Sequence, residues 1–196
     1  MKETEKKNNM KKYLLAFSIL VAGLFHVYGQ MDAGFTKVSV VNGKVVFEQF
    51  IPADPAGSAS QRYAKLQDWT RKSFSGSPLL SGIRYDEKSQ AVTVSSKAEL
   101  NLPVDKSGGR DHMIMSYRFD ATVTNAGCVL VVRDITYQNA RKESGSFFPK
   151  TYTAEETITD QALSVKSDEN ELKNNLRKET LRVLNKLYAD LSGAVH

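Results

Sequence analysis

Only one cysteine, Cys128, and three histidines occur among the 196 residues. A single cysteine excludes an internal disulfide. So few thiols and imidazoles also exclude the paired Cys/His sets of zinc sites, and there is no H-E-x-x-H. EF-hand spacing, a glycine-rich phosphate loop and a G-x-S-x-G elbow are all missing. Repeats and low-complexity blocks are absent too, which argues against a solenoid. Stability must therefore come from one hydrophobic core.

What is present begins with a leader. Met10-Lys11-Lys12 precedes Tyr13 to Phe25, an uncharged and mainly apolar stretch of 13 residues. As a helix it would span about 20 Å, short of the ~30 Å hydrocarbon layer. Val27 and Gly29 stand at the −3 and −1 positions of a cut between Gly29 and Gln30. Residues 1–29 are thus expected to be a removable export signal, with translation starting at Met10. An uncleaved anchor extending through Tyr28 is the alternative. The rest, 30–196, is expected to be one domain, periplasmic or secreted. No cysteine lies near the cut, so a lipoprotein is not expected. The leader holds five lysines and two glutamates, so its loss lowers the formal net charge from +5 to +2. That weak residual charge argues against a nucleic-acid partner.

Along the mature chain, Val38 to Val41 and Lys44 to Phe47 flank Asn42-Gly43, the signature of a type I′ hairpin. The second strand should run to about Ile51, where Pro52 and Pro55 break it. Ser58 or Ser60 can cap a helix to Phe74, whose inner stripe is Tyr63, Leu66, Thr70 and Phe74. Gly76, Ser77 and Pro78 end it. Leu79 to Tyr85, a turn at Asp86 to Ser89, and Ala91 to Leu100 read as a second hairpin. A flexible connection at 105–110 leads to Met113 to Val123. There Met115, Tyr117, Phe119, Ala121 and Val123 share one face. Cys128 to Tyr137 is apolar on both sides at its centre, which predicts a central strand covered on each face. After a polar loop at 139–146, Thr153 with Glu156 and Asp168 with Glu171 fit capping boxes. The second would open a terminal helix with the stripe Leu172, Leu176, Val183, Leu184, Leu187 and Leu191.

Residues able to carry chemistry do not converge in the sequence. Cys128 sits in an apolar run and reads as a buried hydrophobe. His112 reads as a solvated loop histidine. The carboxylate pairs Asp86-Glu87 and Glu155-Glu156 read as solvent-facing charge, as do Arg71-Lys72 and Lys173, Arg177, Lys178 and Arg182. Tyr63, Trp69, Tyr85 and Tyr137 are the aromatic candidates for a ligand or partner surface, against a plain core role for each. No catalytic residue, cofactor-binding residue or metal ligand is assigned.

Several stretches in order resemble a family of exported proteins from Gram-negative anaerobes, domain of unknown function 4468, with a TBP-like fold. They are Asn42-Gly-Lys-Val-Val-Phe-Glu48, Tyr63-Ala-Lys-Leu-Gln-Asp-Trp69, Tyr85-Asp86, Tyr117-Arg118-Phe119, Arg133-Asp-Ile-Thr-Tyr137, Ala154-Glu-Glu156 and Thr159-Asp160, with the closing helix. The match spans about 42–191. One departure is the turn after Asp86, which lacks the glycine common in such hairpins. The resemblance implies an α+β domain, a curved antiparallel sheet of about five strands with two helices on one face, and no activity.

Together these readings predict a non-catalytic binding module in the cell envelope, without cofactor. Its partner would be an envelope protein or a small ligand, met on the open sheet face or an edge strand. A structural homodimer burying that face and a cell-envelope hydrolase with a dispersed site are the alternatives.

Overall fold

The computed structural model describes residues 34–53, 57–104, 110–139 and 150–196. The expected export signal and the connections at 105–109 and 140–146 lie outside the described residues. Strands β1 (Val40–Val41) and β2 (Lys44–Val45) form a two-stranded ribbon. Asn42 and Gly43 turn it with φ of 51° and 74°, both positive as a type I′ turn requires. The predicted second strand is split at Val46. Its remainder, β3 (Phe47–Pro52), leaves the ribbon and joins the main sheet.

Ser58 caps helix α1 (Ala59–Phe74) through a reciprocal box with Gln61. The predicted stripe is buried, and Arg62 is buried beside it. Strands β4 (Leu80–Asp86), β5 (Ala91–Val104), β6 (Arg110–Val123) and β7 (Gly127–Asn139) follow as antiparallel neighbours. Gln90, at φ 50°, supplies the left-handed position of the β4–β5 turn that glycine often takes. A three-residue strand, β8 (Thr151–Thr153), pairs with β7 and was not legible as a strand. The six-stranded sheet runs β3-β7-β6-β5-β4, with β8 beside the far half of β7.

Thr153 and Glu156 make the expected capping box on a short helix, α2 (Ala154–Thr157). Thr159 caps α3 (Asp160–Ser164). The box expected from Asp168 and Glu171 is absent: α4 (Asn170–Val195) starts from Glu169 without a side-chain cap. A local turn replaces it, in which Asn170 N–H donates to the Ser167 carbonyl at 3.1 Å. The Ser167 hydroxyl meanwhile bonds Asn170 Oδ1 at 3.0 Å. Glu169 is already helical, so no extended cap residue is present to accept from the first turn.

Helices α1 and α4 pack against each other and against one face of the sheet. That face supplies the core: Val92, Val94, Met115, Tyr117, Phe119, Ala121, Cys128, Leu130 and Val132 among others. Alternation would turn Asp134 into this core. Instead Asp134 takes φ 56°, and two residues of β7, Asp134 and Ile135, face Tyr117 alone on β6. This bulge re-phases the strand, so that Ile135 and Tyr137 point inward again.

The double-sided covering predicted for β7 does not occur among the described residues. Outward-facing Val129 and Val131 are half-buried, and Phe50 is the cross-strand neighbour of Val129. Most of the remaining outward positions on β5, β6 and β7 are polar, with Ile114 an exception among them.

Candidate functional site

Inward-facing Met113, near the start of β6, is buried, as is Leu176 in the second turn of α4. Leu172, one turn earlier, is half-buried. Together they floor a cavity of about 330 Å³ at the end of the sheet where β8 meets α2 and α4. Tyr152 forms a wall, placed there because β8 pairs it with inward-facing Tyr137. The Lys150 ammonium lies 4.7 Å from the centre of the Tyr152 ring, a cation–π distance. Glu156, Thr157, Glu169 and Lys173 complete the rim.

Two rim groups are fixed by local structure. Thr157 Oγ1 donates to the Thr153 carbonyl at 2.5 Å. Glu156 accepts from the Thr153 hydroxyl at 2.9 Å and its N–H at 3.3 Å. Those bonds hold its carboxyl below the ordinary value, so it is an anion at neutral pH. Its neighbour Glu155 accepts from Val45 N–H at 2.9 Å and ties the β1–β2 ribbon to α2. The Glu155-Glu156 pair is therefore engaged rather than free surface charge. Lys173 lines the cavity, and Arg177 reaches Asp160 at 2.5 Å, so these two also depart from the solvated face expected of them.

On the sheet face away from α1 and α4 a second polar group is ordered around Asp120. Arg133 donates from Nε and Nη2 to Asp120 Oδ2 at 3.0 and 2.8 Å. Thr93 donates to Oδ1 at 2.6 Å, and Arg118 Nη2 stands 3.7 Å from Oδ1. Partial burial pushes this carboxyl up. The Thr93 and Arg133 bonds and the two guanidinium charges outweigh it, so Asp120 titrates below its ordinary value.

The four aromatic candidates are not brought to one place. Trp69 is half-buried against the core, edge-on to Phe74 at 5.6 Å and tilted to Phe119 at 6.1 Å. Tyr137 is fully buried, its hydroxyl 2.8 Å from Thr180 Oγ1. Tyr63 is buried, and among the described residues its hydroxyl has no partner at full hydrogen-bond geometry, Gln67 being the side chain close enough to act on it. Burial, then the charges of Glu87 and Asp86, raise its pKa. Tyr85 is exposed at the edge strand. His112 is exposed, opposite Asn101. Among the described residues no three His, Cys, Asp or Glu side chains cluster as metal ligands do. Cys128 is buried, and desolvation pushes its thiol up to about 12, which makes it unreactive at neutral pH.

Sequence reasoning missed the cavity because its walls come from three separated segments. The one readable signal was Lys150-Thr-Tyr152 beside a capping box.

Residues 47–138 match the family described as a domain of unknown function (DUF4468) with TBP-like fold. Among solved structures, a TBP-like protein from Parabacteroides distasonis is 23% identical, with a TM-score of 0.66, covering 81% of this chain and 96% of its own. A DUF4468 family protein from Bacteroides ovatus is 20% identical, with a TM-score of 0.65, covering 83% and 92%. At these identities the likeness establishes the fold. No curated protein matches.

Proposed function

Starting from a TBP-like chain whose residues 47–138 match DUF4468, we propose an exported, non-catalytic binding protein that takes a small amphipathic ligand in the cavity between β8, α2 and α4. The cavity itself carries this reading. Its volume of about 330 Å³ falls in the range of small-ligand sites. An apolar floor of Met113, Leu172 and Leu176 would take a hydrocarbon or aromatic group, while charges of both signs stand at the rim. Glu156 is held as an anion by its own capping box, which suits it to binding rather than to proton transfer. Export is supported by the basic and apolar pattern of Lys11 to Phe25. No described helix is long and apolar enough to cross a membrane.

The test is a titration followed by methyl and aromatic NMR, with octanoate, octylamine and phenylalanine as probes. Saturable shifts of the Met113 methyl and Tyr152 ring are expected for at least one probe, and loss of those shifts in Leu172→Trp, which fills the cavity. Unmoved Met113 and Tyr152 signals at millimolar concentrations of all three would overturn the reading.

A further inference from the structure

The sheet face away from α1 and α4 carries two arginines directly opposite each other, Arg118 on β6 and Arg133 on β7. Like charges in that register repel unless something neutralises them. Asp120 does so unevenly. Arg133 uses Nε and Nη2 on Asp120 Oδ2, and its Nη1 stands 3.7 Å from Asp134. Asp120 Oδ1 is taken by the Thr93 hydroxyl at 2.6 Å, which leaves Arg118 an ion pair at 3.7 Å and no hydrogen bond among the described residues. Its Nε is buried and unpartnered. A guanidinium has five N–H donors in a planar fork; here Nη2 leans on Asp120 and Nε is closed to solvent, which leaves the Nη1 donors unspent.

The surroundings of that fork suit an anion. Ser95 is the cross-strand partner of Arg118 on β5. One outward position further along, Lys97 pairs with Ser116, and Ser116 with Thr136. Lys97 is exposed and makes no ion pair among the described residues. Glu99, the next outward residue on β5, bounds the patch. A guanidinium, an ammonium and three hydroxyls thus share one side of the sheet within two register steps.

We propose that Arg118, with Lys97 and the hydroxyls of Ser95, Ser116 and Thr136, forms an oxyanion site on the sheet face away from α1 and α4, separate from the cavity. A carboxylate, sulfate or phosphate oxygen pair would accept from the Arg118 fork and relieve the repulsion between the two guanidinium groups. The bulge at Asp134 contributes by holding Arg133 against Asp120, so that Asp120 is not free to turn fully to Arg118.

The experiment is a titration of the ¹⁵N-labelled protein with acetate, sulfate, inorganic phosphate and oligogalacturonate, read at the arginine Nε–H signals. At least one probe should shift the Arg118 Nε–H signal saturably. Affinity should fall roughly tenfold in both Arg118→Gln and Lys97→Gln, and stay unchanged in Lys186→Gln, which lies on α4. Acetate and oligogalacturonate binding points to a carboxylate source, sulfate or phosphate binding to an ester. Lys97 is exposed, so its variant keeps the test valid if Arg118→Gln fails to fold. Linear, unsaturated shifts for every anion, or equal affinities in the wild type and Lys97→Gln, would refute the site.

Discussion

Arg62 shows what a single residue can hide from sequence reading. A charged side chain one position before the stripe residue Tyr63 reads as solvated, yet it is 3% exposed. Its Nη1 donates to the Thr124 and Asn125 carbonyls at 3.2 and 3.3 Å, and Nη2 to the Gly57 carbonyl at 2.5 Å. The fork pins the start of α1 to the β6–β7 turn, a role visible only once the turn is in place. Arg62→Met keeps the stem's packing and loses the donors, so a destabilisation of about 3 kcal/mol is expected in urea unfolding. Gly127 makes a related point about close approach. A Cβ there would lie 2.1 Å from the Ile51 carbonyl oxygen and 2.7 Å from the Phe50 ring. The Phe50 ring can swing aside, but the backbone of β3 cannot yield cheaply. Gly127→Ala should cost about 2–4 kcal/mol by the same measurement, and a loss under about 0.5 kcal/mol would show that β3 is free to shift. The demand for glycine comes from the strand beside it.

At the scale of elements, legibility followed locality. Helix α1 was readable because its signals are contiguous: a capping serine at 58 or 60, and apolar residues every third or fourth position. The Gln61 half of the box, which selects Ser58, came from the structure. β6 was readable because its alternation is unbroken, and β7 less so because the bulge at Asp134 breaks its period. β8 has three residues and exists by pairing with β7, so nothing local marks it. The two predicted boxes on the C-terminal side make the sharpest contrast. Thr153-x-x-Glu156 forms, whereas Asp168-x-x-Glu171 fits the same pattern and does not, because the Ser167–Asn170 turn fixes the backbone first. Ser58→Ala and Thr153→Ala should therefore each lower stability by about 1 kcal/mol, while Asp168→Ala stays within about 0.5 kcal/mol. Thermal melts of the three variants decide it. A loss at Asp168 equal to that at Ser58 would mean that the predicted cap does form in solution.

Across the whole molecule, burial of weak acids and pairing of one carboxylate set opposite limits on pH. Desolvation raises the pKa of Cys128 to about 12 and also raises those of Tyr137, Tyr117 and Tyr63. Each is neutral when folded and ionises more readily when unfolded. The stability they contribute is complete below their unfolded values, 9.0 for the thiol and 10.0 for the phenols, and is lost as pH rises through the folded ones. Asp120 runs the other way. Its folded pKa lies below 3.8, so its contribution is complete above that value and disappears as pH falls through the folded one. Asp86, held low by the Ser89 backbone and side chain, and Glu156, held low by Thr153, bend the curve in the same sense as Asp120 from exposed positions. The melting temperature should thus be flat across the neutral range and fall at both ends. The two limbs have different owners. Tyr137→Phe removes a phenol that bonds only Thr180, so it should lower the plateau by about 1 kcal/mol and flatten the alkaline fall. Asp120→Asn should flatten the acid fall and leave the alkaline limb unchanged. Melts from about pH 2 to about pH 11 on the wild type and these two variants separate the contributions. An alkaline limb identical in the wild type and Tyr137→Phe would mean that the phenol is hydrated in solution. Since Tyr137 is the inward partner of Tyr152, that hydration would also open the cavity wall.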